Sequence, residues 1–134
     1  MFLLPTQADA QIVVKDKMNT ETLLSIRMGF IKLNYDGSYY LAMSTTNQFD
    51  RPMILPLGKD KTEAIKTIEA LIEITTTIKN GDCIKIESAY GTEFRIYRFA
   101  KNTITINADG YAAASNTNKA ELTKILDKIT FDVR

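Results

Sequence analysis

Two helix starts constrain this chain more than anything else in it. Asp60 stands three residues before Glu63, and Asn118 three residues before Glu121. Each pair reads as a capping box, in which the first side chain accepts a hydrogen bond from the backbone N–H of the third residue. An apolar stripe follows each box. Ile65, Ile68, Leu71 and Ile72 share one helical face, and Leu122, Ile125, Leu126 and Ile129 fall at i, i+3, i+4 and i+7. Three segments with strand character precede each box. The pattern predicts an α+β fold: antiparallel sheet(s) from two successive strand-strand-strand-helix units, with the helices packed on one sheet face. The units fall at residues 21–80 and 81–134 of a single domain spanning 1–134. A chain of 134 residues can bury a core without metal or disulfide support. Identities between the halves are few, so true duplication stays open.

Residues 1–20 read as a peripheral segment. Phe2-Leu3-Leu4 and Ala8-Asp9-Ala10 have the look of a vestigial secretion signal, but the basic start and longer apolar stretch of a full signal are missing. Gln11–Val14 is a candidate short strand.

In the first unit, period-two alternation runs through Ile26, Met28 and Phe30, then slips phase at Gly29 to Ile31, Leu33 and Tyr35. Asp36-Gly37 predicts a two-residue hairpin turn. Folding about it sets Tyr35 beside Ser38, Leu33 beside Tyr40 and Ile31 beside Ala42. Phe30, Tyr39, Leu41 and Met43 then share the opposite face with Lys32 and Asn34. Both faces would be rich in apolar groups, so the hairpin is either covered twice or offers Phe30, Tyr39, Leu41 and Met43 as an interface. Pro52 and Pro56 confine Met53–Leu55 to a short edge strand.

In the second unit, Cys83–Glu87 and Glu93–Phe99 read as strands around a turn at Ala89-Tyr90-Gly91. Ile84, Ile86, Phe94 and Ile96 share the inward face. Thr103–Asn107 is a third strand, Tyr111–Thr117 a loop, and Thr130–Val133 an extended end.

The chain has no histidine and one cysteine, Cys83. That excludes histidine-assisted nucleophiles, a cysteine-rich zinc site and an intramolecular disulfide. No apolar run reaches the ~20 residues of a membrane-spanning helix, and no membrane partner is expected. The glycines form no phosphate loop, and neither Asp-Gly pair has the acidic spacing of a calcium loop. No catalytic residue, cofactor or metal ligand is therefore assigned. Glu87 and Glu93 are opposed across the second hairpin, as paired carboxylates are in glycoside hydrolysis. Lys85 and Arg95 lie diagonal to them on the same face, which makes a solvated charge checkerboard the better reading.

Arg95, Tyr97 and Phe99 alternate on one strand face near Lys85, with Arg98 on the other face and Tyr35 and Tyr40 on the first hairpin. Cations and rings on a sheet suit single-stranded nucleic acid, because bases stack on rings while cations track phosphate. Over about residues 25–129, the tandem sheet-plus-helix order resembles the PUR and whirly single-strand binders. The resemblance is topological and rests on no sequence motif. The placement of rings and cations makes Tyr35, Tyr40, Lys85, Arg95, Tyr97 and Phe99 the candidate binding residues, for a partner or for nucleic acid. Packing of the same rings in a core or at a sheet edge is the competing reading, and the net charge of +1 makes no strong call on nucleic acid. The leading expectation is a small non-enzymatic interaction protein, accessory, structural or inhibitory, from a phage or microbe. It would be cytoplasmic or virion-associated, or secreted if the start is truncated. Its partner would be another protein or a second copy of itself. Single-stranded nucleic acid binding is the alternative.

Overall fold

A computed structural model describes residues 19–88 and 91–134. It contains two four-stranded antiparallel meanders, each followed by a helix. The first unit runs β1 (Glu21–Ile26), β2 (Ile31–Tyr35), β3 (Tyr39–Met43), β4 (Met53–Gly58) and α1 (Lys61–Thr77). The second runs β5 (Cys83–Glu87), β6 (Glu93–Ala100), β7 (Thr103–Ala108), β8 (Ser115–Asn118) and α2 (Lys119–Thr130). Strand order in each sheet is sequence order. The α+β class and the two sheet-then-helix units are as the sequence predicts. The candidate strand at 11–14 and most of the N-terminal segment lie outside the described residues.

Each sheet has one strand more than expected. In β1 a bulge at Leu23 breaks the alternation, so Thr22 pairs with Asn34 but Leu24 with Leu33. The residues after β1 form a turn and not a continuing strand: Arg27, Met28 and Gly29 all take positive φ (51°, 56° and 93°). β8 has no apolar residue. Its inward positions are Ser115 and Thr117, both buried, and the Ser115 hydroxyl has no hydrogen-bond partner among the described residues. The extended end expected at Thr130–Val133 is not a strand, since α2 runs on to Thr130.

The first hairpin corrects the expected interface. Its loop is three residues, Asp36–Ser38, closed by the pair Tyr35↔Tyr39, with Asn34↔Tyr40, Leu33↔Leu41 and Ile31↔Met43 behind it. The Asp36 carboxylate accepts from the Ser38 backbone N–H at 3.3 Å and stabilises the longer loop. One extra loop residue reverses the parity of the returning strand. Tyr39, Leu41 and Met43 therefore face inward, no more than 1% exposed, and Phe30 is half-buried in the turn before β2. No doubly apolar hairpin remains: Lys32, Tyr40 and Ala42 lie on the outer face.

Both N-cap bonds of the predicted boxes form, but neither glutamate reaches the cap residue's own N–H, and Glu121 accepts from Arg27 and the Thr117 hydroxyl instead. Asp60 accepts from Glu63 N–H at 2.9 Å, while Glu63 accepts from Lys59 N–H. Asn118 accepts from Glu121 N–H at 2.8 Å. α1 buries Ala64, Ile68, Leu71 and Thr75, and α2 buries Leu122, Ile125 and Ile129. The helices pack on each other, α1 also on β4, and α2 also on β1 and β8. Their stripes join the inner faces of both sheets in one hydrophobic cluster. Each fully buried Ile or Leu there contributes roughly 1.5–3 kcal/mol.

β4 enters α1 through a close approach at Gly58. A Cβ there would stand 2.5 Å from Glu63 Cβ and 2.7 Å from the Ala64 backbone nitrogen. Gly58→Ala must push the first turn of α1 off the sheet, and the expected loss is about 1–3 kcal/mol, the usual range for overpacking. Urea denaturation of the two proteins measures it.

The C-terminus is tied to the first sheet. Tyr39 donates to the Asp132 carboxylate at 2.6 Å, Lys61 donates to the Asp132 backbone oxygen, and Arg134 bridges Asp132 and Glu21 while lying over the Tyr35 ring. Burial, then the hydrogen bond to Asp132, push the Tyr39 phenol well above its ordinary value, so it stays a donor. For Asp132, burial alone would raise the carboxyl, but the Tyr39 hydrogen bond and the Arg134 charge outweigh it and hold it below the usual range. A lowered carboxyl stabilises the fold above its unfolded value, near pH 4, and that stability disappears as pH falls through the lower folded value. Asp132→Asn should therefore be less stable at pH 7 and lose less on acidification below pH about 4. Urea midpoints taken against pH for both proteins give the comparison, and equal acid slopes would contradict it.

Candidate functional site: the outer face of the second sheet

Register sorts the outer face of the second sheet into rows across the strands. Glu87 pairs with Glu93, Lys85 with Arg95, and Cys83 with Tyr97. β7 extends two of these rows, Arg95 pairing with Asn107 and Tyr97 with Thr105, and β8 adds Asn116 opposite Thr105. The alternation that sends Phe94, Ile96, Ile104 and Ile106 into the core leaves these residues outside. Tyr97 is 40% exposed, and Phe99, at the bulge near the end of β6, is 68% exposed. Arg98 points to the other side and donates to Asn80 at 2.7 Å.

The structure thus places three of the six predicted binding residues, Lys85, Arg95 and Tyr97, on one face, with a fourth, Phe99, exposed at the bulge beside them. Tyr40 lies half-buried on the outer face of the first sheet, opposite Pro56. Tyr35 is directed inward beside Tyr39, their ring centroids 4.9 Å apart, and is covered by Arg134. Its partner across the hairpin is a core residue, so Tyr35 is part of the packing and not of a binding surface.

The charges on the face differ in their commitments. Arg95 bridges Glu93 at 3.1 Å and Asp109 at 2.9 Å, and donates to the Asn107 side-chain oxygen. The hydrogen bond to Asp109 raises Arg95 above its ordinary value, against partial desolvation. Lys85, directly opposite, is exposed and has no hydrogen-bond or salt-bridge partner among the described residues. The carboxylates Glu87 and Glu93 are opposed as expected, with Glu93 held by Arg95, but the charges form an acidic row beside a basic row and not the expected checkerboard. Cys83 is exposed and not packed as a small apolar group; its hydrogen bond with Tyr97 raises that phenol.

Elsewhere, a cleft of about 440 Å³ lies between β4, the start of α1 and the end of β5. Its ionisable lining residues are Tyr39, Lys59, Glu63 and Glu87, of which Tyr39 is committed to Asp132 and Glu63 to the helix start. Among the described residues no cluster of His, Cys, Asp and Glu could hold a metal ion, and no helix is long and apolar enough to cross a membrane. No family model matches the chain, and neither a curated protein nor a solved structure matches it at a significant level.

Sequence reasoning missed the polar half of this face. Thr105 was accessible in principle, from alternation with Ile104 and Ile106. Asn116 was not, because β8 has no apolar periodicity to reveal a strand. If the face is open in solution, Cys83 should react with one equivalent of a thiol reagent in the native protein, at a rate within a few-fold of that in denaturant. A thiol that becomes reactive only on unfolding would show the face to be covered.

Proposed function

We propose that the protein is a non-enzymatic binding module that holds single-stranded nucleic acid on the outer face of its second sheet. One observation carries this reading: exposed Tyr97 lies on the same face as Arg95 and as Lys85, which has no partner among the described residues, with exposed Phe99 at the bulge just beyond them. Rings accept stacked bases at roughly 1–3 kcal/mol each, and adjacent cations attract the backbone. The tandem order of sheet and helix, which resembles that of the PUR and whirly proteins, supports it. So does the burial of Tyr39, Leu41 and Met43, which removes the apolar hairpin face that favoured a protein partner.

With two cations on the face, binding should be weakly electrostatic. About 0.7 counterions are released per neutralised phosphate of a single strand, so log K against log salt should fall with a slope on the order of −1.4. Tyr97→Ala should weaken binding about 5- to 150-fold, matching the loss of one stacked base, with the slope unchanged. Lys85→Gln should roughly halve the slope. Fluorescence anisotropy with labelled 15-mers at several salt concentrations reads all three quantities. Binding that is absent, or indifferent to Tyr97, would sink this assignment. It would turn attention to the shallow hollow on the first sheet formed by Tyr40, Ile54 and Pro56, where a protein partner could dock.

A further inference from the structure

The second sheet divides its outer face between two kinds of side chain. β5 and β6 carry the charged groups, the rings and Cys83, while β7 and β8 carry only hydroxyls and amides: Thr103, Thr105, Asn107, Asn116 and Asn118. Most of these are committed. Asn107 donates to the carbonyls of Tyr111 and Ala113 and accepts from Arg95. Asn118 caps α2, and Thr103 donates to the Lys101 carbonyl. Asn116 is committed on one side only. Arg27 of the first unit donates to its side-chain oxygen at 3.0 Å and to its backbone oxygen at 2.6 Å. A guanidinium can only donate, so the carbonyl oxygen of Asn116 must face Arg27, and its NH₂ is left as a donor. That NH₂ and the Thr105 hydroxyl have no side-chain hydrogen bond among the described residues. Both stand in the row that contains Tyr97, Thr105 on the next strand and Asn116 on the one beyond.

Adjacent strands are ~4.8 Å apart, so a base stacked on Tyr97 would extend its hydrogen-bonding edge across this row. Resting on the nucleic-acid reading above, we infer that the row selects the base: Tyr97 is the platform, and Thr105 and Asn116 read its edge. The Asn116 NH₂ donates to a base carbonyl while the Thr105 hydroxyl accepts from the adjacent ring N–H. Thymine, uracil and guanine present that carbonyl beside an N–H. With the backbone held over the basic row and the base in that same orientation, adenine and cytosine each present an amine beside an unprotonated ring nitrogen, which leaves the Asn116 donor facing another donor. The ligand class is therefore a single strand rich in keto bases.

The test compares labelled dT15 and dA15 on the full chain, at one salt concentration, by anisotropy. Wild type should bind dT15 roughly tenfold more tightly, the lower end of what a paired base contact discriminates. Homopolymer flexibility can itself favour dT, so the ratio must be followed through variants. Asn116→Asp keeps the oxygen that Arg27 requires and replaces the donor with an acceptor. Its added charge weakens both oligonucleotides alike and cancels in the ratio. Thr105→Val keeps shape and neutrality. Each variant should bring the ratio to within about twofold of one, with thermal unfolding close to wild type. A large ratio unchanged in Thr105→Val, or a wild-type ratio near one, overturns the base-reading row and leaves the binding function standing. If neither oligonucleotide binds, the binding function itself fails.

Discussion

The structure depends on a shortage of cover. Each meander has one dry face, and a single following helix of 17 or 12 residues must cover it. A β4α unit alone is near the size at which a hydrophobic core becomes marginal. The two helices meet this constraint by packing on each other, so that the stripes of α1 and α2 and both inner faces close one core. The polar links between the units follow from the same closeness. Arg27, in the turn between β1 and β2, reaches Asn116 and forms a bridge with Glu121 at 2.8 Å. Thr46 donates to the Ala114 carbonyl, and the Tyr111 hydroxyl donates to that of Pro52. Arg27 adopts a left-handed backbone that costs roughly 1–2 kcal/mol in a residue with a Cβ. Its side chain offsets this by holding a neighbouring strand and a half-buried carboxylate together.

Turning both dry faces inward leaves two outer faces, and they are unequal. The first displays Lys32 beside Thr22, Asn34, Tyr40, Ala42, Ile54 and Pro56. Two of these are already satisfied, since the Thr22 hydroxyl donates to Asn34, and Pro56 blunts the β4 edge. The second has two opposed cations and two exposed rings. If the halves arose from one ancestor, only the second has been elaborated toward a ligand on this reading.

The legible parts of the fold were those where chemistry is local. Capping boxes and helical stripes need only four to eight residues of context, and both helices begin where Asp60 and Asn118 place them. The second hairpin was also legible, because Glu87, Lys85, Arg95 and Glu93 alternate with isoleucines and phenylalanine without interruption. The first hairpin failed on one residue. Asp36-Gly37 is a good two-residue turn, but Ser38 joins the loop through the Asp36 carboxylate, and a period-two pattern has no tolerance for an odd insertion. Tyr39, Leu41 and Met43 moved from a supposed interface to the core on that account. β1 and β8 were missed for opposite reasons, a bulge in one and the absence of any apolar residue in the other. Asn116 was hidden with β8.

Net charge is a poor guide to a surface whose charges are sorted by row. The near balance of this chain argues against a nucleic-acid ligand only if its charges are mixed at the scale of a nucleotide. On the second sheet they are not. Glu87 and Glu93 form one row, with Asp109 beside them on Arg95; Lys85 and Arg95 form the next; Cys83, Tyr97, Thr105 and Asn116 form the third. Strand residues two apart are separated by about 6.6 Å, so each row is close to one nucleotide repeat from its neighbour. A backbone lying over the basic row is repelled from the acidic side and must turn its bases toward the rings. The carboxylates that neutralise the chain would then act as a fence, setting orientation at the expense of long-range attraction. On the proposed reading such a surface would bind by stacking first and by charge second.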